Sequence, residues 1–138
     1  MKAALLDVNV LLALAWPNHQ HHSEAHEWFN AHARQGWASC AFTQLGFIRL
    51  SANPAYTPAA VSPQEAATLL QELLQHRHHH FWPSPPAANP KTYSISLGNQ
   101  QVNDAYLATL ARSQKGRFVT FDSRSVPHAP DVVELISA

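Results

Sequence analysis

The segment Ala3-Ala4-Leu5-Leu6-Asp7 constrains this chain most, because a carboxylate closes an apolar run and Val10, Leu11, Leu12 and Leu14 then recur at helical spacing. The apolar run predicts a buried strand, and the change of period after Asp7 predicts a strand that turns at once into a helix. In an open parallel α/β sheet, ligands bind in the crevice at the carboxyl ends of the strands, where loops enter helix N-termini. Asp7 belongs at that edge. A carboxylate there is costly to desolvate unless a helix N-terminus or a bound cation meets it.

The rest of the chain repeats the strand and helix alternation. Pro17-Asn18 breaks the first helix, and His22 to Arg34 forms a second with Ala25, Trp28, Phe29 and Ala33 on one face. Gly36 ends it, and Trp37 to Cys40 predicts the next buried strand. Thr43 opens a helix that carries Leu45, Phe47, Ile48 and Leu50 and stops before Asn53-Pro54. After a proline-rich connection, Ser62-Pro63-Gln64-Glu65 unites a capping box with proline at the first helical position. His80 to Trp82 reads as a short strand, followed by an exposed loop with Pro83, Pro85, Pro86 and Pro90. Val102 to Arg112 is a helix stopped by Lys115-Gly116, Arg117 to Phe121 is a strand ending in Asp122, and Val132 to Ile136 is a last short strand. This order predicts a three-layer α/β/α fold around a mostly parallel sheet of four or five strands, with residues 1–138 as a single domain.

Composition narrows the partners little. Nine basic residues balance nine acidic ones, which argues against a strongly cationic nucleic-acid binder but leaves room for a local basic patch. The single cysteine, Cys40, cannot form a disulfide within the chain and reads as a buried thiol. With no signal-peptide pattern and no run of apolar residues long enough for a membrane span, the expectation is a soluble cytoplasmic protein.

A helix that leads by a tight turn into a parallel strand lies antiparallel to it, so its N-terminus returns to the strand's C-terminal edge. Asp104, in the first turn of its helix, is therefore expected beside Asp122, and both beside Asp7. Three carboxylates at one crevice repel one another unless they share protons or bind cations, and Mg²⁺ or Mn²⁺ matches carboxylate and water ligands. Such an ion polarises a phosphoryl oxygen and generates hydroxide from water, so phosphodiester hydrolysis is the natural reaction. Asn9 stands where it can hydrogen-bond the aspartate or a metal-bound water without adding charge. Asp104 and Asp122 read equally, taken singly, as a helix-dipole residue and a turn opener. His22 and His26 have the i, i+4 spacing of a zinc pair, but the glutamate between them, Glu24, is not adjacent to the first histidine as a zincin requires. His76, His78, His79 and His80 read as protonated, solvated residues at a helix end. Trp28, Phe47 and Trp82 read as core or interface.

Leu6-Asp7-x-Asn9-x-Leu11-Leu12, Thr43-x-x-Gly46-x-x-Arg49, Asn103-Asp104-Ala105-Tyr106-Leu107 and Val119-Thr120-Phe121-Asp122 together resemble the motif series of PIN-domain ribonucleases, specifically the VapC toxins. The resemblance spans nearly the whole chain. It implies that Asp7, Asp104 and Asp122 coordinate Mg²⁺ or Mn²⁺, that Asn9 is the small polar residue of the first motif, and that Arg49 is a basic residue near the site. It also implies an RNA substrate, a cognate antitoxin that covers the crevice, and a homodimer. One position departs: many members carry a glutamate where this chain has Gly46, so one acid and the second metal are in question. Glu24 or Glu27 is a possible substitute, and the glycine is expected to leave space for a glutamate. Two other readings compete with the toxin. A haloacid-dehalogenase-type phosphatase also begins with an aspartate after its first strand, but it needs an acid where Asn9 stands. A non-catalytic PIN-like binding module is made credible by Gly46.

Overall fold

The computed structural model describes residues 3–83, 87–93 and 98–137. The chain runs β1 (Ala4–Leu6), α1 (Val8–Ala15), α2 (His22–His32), β2 (Trp37–Ser39), α3 (Ala41–Ser51), α4 (Pro63–Leu74), β3 (His79–Phe81), α5 (Val102–Ser113), β4 (Arg117–Thr120) and β5 (Val133–Leu135). The five strands form one sheet in the order β3-β2-β1-β4-β5, and every neighbouring pair is parallel. The expected α/β sheet is thus present with five strands, and β1 is its centre. Pro85 and Pro86 of the expected proline loop lie outside the described residues.

The alternation of side chains along each strand builds the layers. Ala4, Leu6, Trp37 and Val119 face a cluster with Leu11, Trp28, Phe47 and Leu70, contributed by α1 to α4. Leu5, Ala38 and Phe118 point the other way, onto Leu107, Leu110 and Ala111 of α5 together with Trp82. Both faces of β1 are covered, which is why its three residues are apolar without alternation. Trp28, Phe47 and Trp82 are core residues, and Cys40 is a buried free thiol. Gly116 serves the joint between α5 and β4: a Cβ there would lie 2.5 Å from the carbonyl oxygen of Ala3, so only glycine lets β4 come alongside β1. Among the described residues no helix is long and apolar enough to cross a membrane.

Most element ends lie within one or two residues of the sequence expectation, and the starts of α3 and β3 are among those that differ. α3 begins at Ala41, so Thr43 sits inside its first turn, where its hydroxyl accepts from the Cys40 N–H and donates to the Cys40 carbonyl, both at 3.0 Å. β3 spans His79–Phe81, one residue earlier than expected, in register with Trp37–Ser39 of β2.

The histidines correct part of the expectation of solvated, charged residues at a helix end: His80 is exposed, but His76 and His79 are bonded within the fold. His22 Nδ1 lies 2.7 Å from the Ala13 carbonyl oxygen and His26 Nε2 lies 2.8 Å from that of Leu14, so this pair caps the orphan carbonyls at the end of α1 and is not a zinc clasp. His76 Nδ1 accepts from the Trp37 indole N–H at 3.1 Å, which requires a ring nitrogen without a proton. His79 Nε2 lies 2.7 Å from the Ser39 hydroxyl, which also accepts from the Gln44 amide at 3.0 Å. Burial and the neighbouring His80 and His76 push the His79 imidazole down to about 4. A histidine depressed in this way favours the fold above the ordinary value of 6.5, and its contribution is lost as pH falls towards about 4. Thermal unfolding followed across pH 4 to 7 is therefore expected to show acid destabilisation that His79→Gln reduces.

Candidate active site

Parallel order places the C-terminal ends of β1 and β4 side by side. This is where the strand order reverses direction, and in such sheets the crevice opens at that point. Asp7 follows β1 directly. Its backbone N–H continues the ladder to the Val119 carbonyl at 2.9 Å, and its side chain caps α1, accepting from the Val8 N–H at 2.7 Å. The second oxygen accepts from the Thr120 hydroxyl at 2.7 Å. Thr120 in turn accepts from the Asp122 N–H at 3.0 Å, so one buried hydroxyl links the two acids across the strand pair. Asp104 enters from the first turn of α5, where the Ser125 hydroxyl donates to it at 2.6 Å.

The electrostatics follow from this packing. Asp7 is only 8% exposed, and burial together with the charge of Asp104 pushes its carboxyl from 3.8 up to about 7, against the pull of the Thr120 and Val8 bonds. Asp122 adds a smaller push. Burial raises Asp104 as well, with Ser125 opposing. Asp122 moves the other way, because Arg124 donates from Nε at 3.0 Å and from Nη2 at 2.9 Å to its two oxygens.

The expected convergence of three aspartates thus takes a modified form. Their charges act on one another, but among the described residues no three His, Cys, Asp or Glu side chains gather as a ready-made metal set. Arg124 holds both oxygens of Asp122. Asp7 and Asp104 remain as a raised, mutually repelling pair, and Asn9 adds a buried Oδ1 that accepts no hydrogen bond from any described residue. Hard divalent cations need only one or two carboxylates and keep several waters, so this donor set fits Mg²⁺ or Mn²⁺.

Of the two expectations about the missing acid, the structure contradicts the one at Gly46. Glu24 bonds His21 at 3.1 Å, and that ring stacks on Phe121 with centroids 4.7 Å apart, while Glu27 is exposed on α2; the carboxylates whose charge reaches Asp7 are Asp104 and Asp122. Neither glutamate is among the charges that shift Asp7. Gly46 is not an open slot, since a Cβ there would lie 2.7 Å from Val8 Cγ2. Its glycine lets α3 pack against the first residue of α1. Arg49 is exposed in the last turn of α3, three residues beyond Gly46.

Sequence reasoning missed Thr120, Ser125 and Arg124. Thr120 carried a signal, because it shares the strand face of Asp122 at a spacing of two and is polar where its neighbours are apolar. Arg124 carried one too, in the short Asp122-Ser123-Arg124 spacing. Ser125 had none.

The PIN domain family profile matches residues 4–130. The chain belongs to the PIN-domain family. It is 43% identical over 120 residues to Ribonuclease VapC38 of Mycobacterium tuberculosis, a match covering 87% of this chain and 85% of that protein. It is 44% identical over 122 residues to Ribonuclease VapC44 of the same organism, covering 86% and 85%. The crystal structure of PAE2754 from Pyrobaculum aerophilum superposes with a TM-score of 0.59 at 20% identity, covering 96% of this chain and 83% of that one, and shares the fold. Membership of the PIN family sets aside the haloacid-dehalogenase reading, in keeping with Asn9.

Proposed function

We propose that this PIN-domain chain is a metal-dependent endoribonuclease that hydrolyses RNA phosphodiester bonds and acts as the toxin of a toxin-antitoxin pair. The observation that carries the reading is Asp7, held rigidly at the strand-order reversal and raised to about 7 by burial and by Asp104. A pair of acids arranged to repel is stabilised by a divalent cation, and clefts where acids are so perturbed are where chemistry concentrates. The VapC ribonucleases at 43% and 44% identity support the same activity.

Asp7, Asp104 and Asp122 are the proposed carboxylates, with Mg²⁺ or Mn²⁺ held by Asp7 and Asp104. A divalent ion bound there supplies positive charge to a phosphoryl oxygen and acidifies water. Thr120 and the Val8 N–H fix the direction of the Asp7 carboxylate, and Ser125 fixes that of Asp104. Asn9 Oδ1 is left to orient a water or a ribose hydroxyl. Arg49 lies exposed to track the RNA backbone. Because Asp7 must give up its proton to become a ligand, metal affinity should rise with pH through about 7. The proposed partners are RNA, an antitoxin protein that covers the crevice and a second copy of the chain, with residues 1–138 as one cytoplasmic domain.

A non-catalytic PIN-like module is favoured by one observation, the Arg124 guanidinium on Asp122. Induced expression of wild type and Asp104→Asn, followed by end-mapping of cellular RNA, separates the two. New 5′ ends in wild type alone support the nuclease; identical end maps from both support the binding module.

A further inference from the structure

The crevice carries a cation of the chain's own. Arg124 follows Asp122 at the head of the 3₁₀ turn Ser123–His128, and three of its N–H groups converge on that carboxylate: the backbone N–H at 2.9 Å, Nε at 3.0 Å and Nη2 at 2.9 Å. Nη1 reaches the Gln100 amide oxygen at 3.2 Å. A guanidinium has five N–H donors in a fixed plane, so one on each terminal nitrogen is still unassigned, and the side chain is 62% exposed. Its charge also reaches Asp104.

Charge and ligand counts then favour one metal over two. Asp122 is neutralised by Arg124, which leaves Asp7 and Asp104, and two carboxylates balance one divalent cation. No acid can enter at position 46 while Val8 fills that space. A phosphoryl-transfer site still needs positive charge on both sides of the phosphate, and a planar guanidinium supplies it through paired N–H donors.

We propose that Arg124 is the second cation of this crevice: it occupies Asp122 in place of a second metal and presents its remaining N–H groups to the scissile phosphate of RNA. The inference rests on the ribonuclease reading above. It predicts that the chain holds one divalent ion, and that Arg124 contributes a phosphate contact even when no metal is present.

Two measurements test it. Mn²⁺ alone, counted by electron paramagnetic resonance without RNA, is expected at one per chain in wild type and two in Arg124→Ala, where Asp122 is released. Binding of a fluorescein-labelled single-stranded RNA 20-mer in EDTA, followed over a KCl series, should lose about 0.7 from the slope of log K against log salt in Arg124→Ala, the loss for one phosphate contact. Arg124→Lys should restore that slope, because it keeps the charge. Arg124 is exposed, and circular dichroism will verify that the variants fold. Two Mn²⁺ per wild-type chain, or an unchanged salt slope in Arg124→Ala, overturns the inference. A wild-type protein that neither binds nor cleaves RNA at any Mn²⁺ concentration overturns the ribonuclease reading itself, a different result from a working nuclease that holds two metals.

Discussion

Asp7→Asn is expected to abolish RNA cleavage and, in the same protein, to raise the melting temperature of the metal-free fold at neutral pH. The activity loss should exceed about 100-fold, since removing an outer-shell partner of a metal already costs 10- to 100-fold and Asp7 is a proposed ligand. The gain in stability follows from the carboxyl standing at about 7 in place of 3.8, which means that the fold disfavours its ionised form. At about 1.4 kcal/mol for each tenfold change in proton affinity, that amounts to a few kcal/mol for the ionised acid. Asparagine has one oxygen for the two donors Val8 N–H and Thr120 Oγ, so part of the gain is returned and about 1–2 kcal/mol remains, a shift of several degrees. A raised acid contributes its stability below its unfolded value and loses it as pH rises through the folded one. The difference between variant and wild type should therefore open between pH 3.8 and about 7 and stay level above. Melting curves in EDTA across that range check it.

Gly46→Glu should weaken the fold and leave cleavage no faster. The sequence alone presents the glycine as a gap awaiting a ligand, but the structure fills the gap with Val8, whose β-branched side chain has few alternatives within a helix. Overpacking of this kind costs about 1–3 kcal/mol, against about 1 kcal/mol recovered by replacing glycine in a helix. In Val8→Ala/Gly46→Glu the clash is gone, so stability should return towards wild type and the new carboxylate should at last reach the crevice. Urea unfolding gives the first half of this expectation, and cleavage across a Mn²⁺ titration gives the second. A single Gly46→Glu variant that cleaves faster than wild type would show that Val8 yields easily.

Much of this architecture was legible in the sequence because the signals were local. The apolar run before Asp7, the Ser62-Pro63 cap and the periodicity of α5 each determine an element without outside help, and chain direction in a parallel sheet then brings Asp7, Asp104 and Asp122 to one edge. What was not legible depends on pairs distant in sequence. Thr120 bonds an acid more than a hundred positions away, the His79 ring meets the Ser39 hydroxyl of another strand, and the tight fit of Gly46 depends on a valine on another helix. Arg124 is the opposite case. Its partner is two residues away, but the spacing shows only that the two can meet, and geometry was needed to show that both oxygens of Asp122 are taken.

In vitro RNA cleavage with EDTA-stripped protein, to which Mn²⁺ is returned in steps, decides whether the crevice between β1 and β4 is a metal-dependent ribonuclease centre. Wild type should be inactive in EDTA and regain cleavage with Mn²⁺, while Asp7→Asn stays inactive at every concentration. Cleavage that persists in EDTA, or that Asp7→Asn retains, would rule out a metal centre built on Asp7.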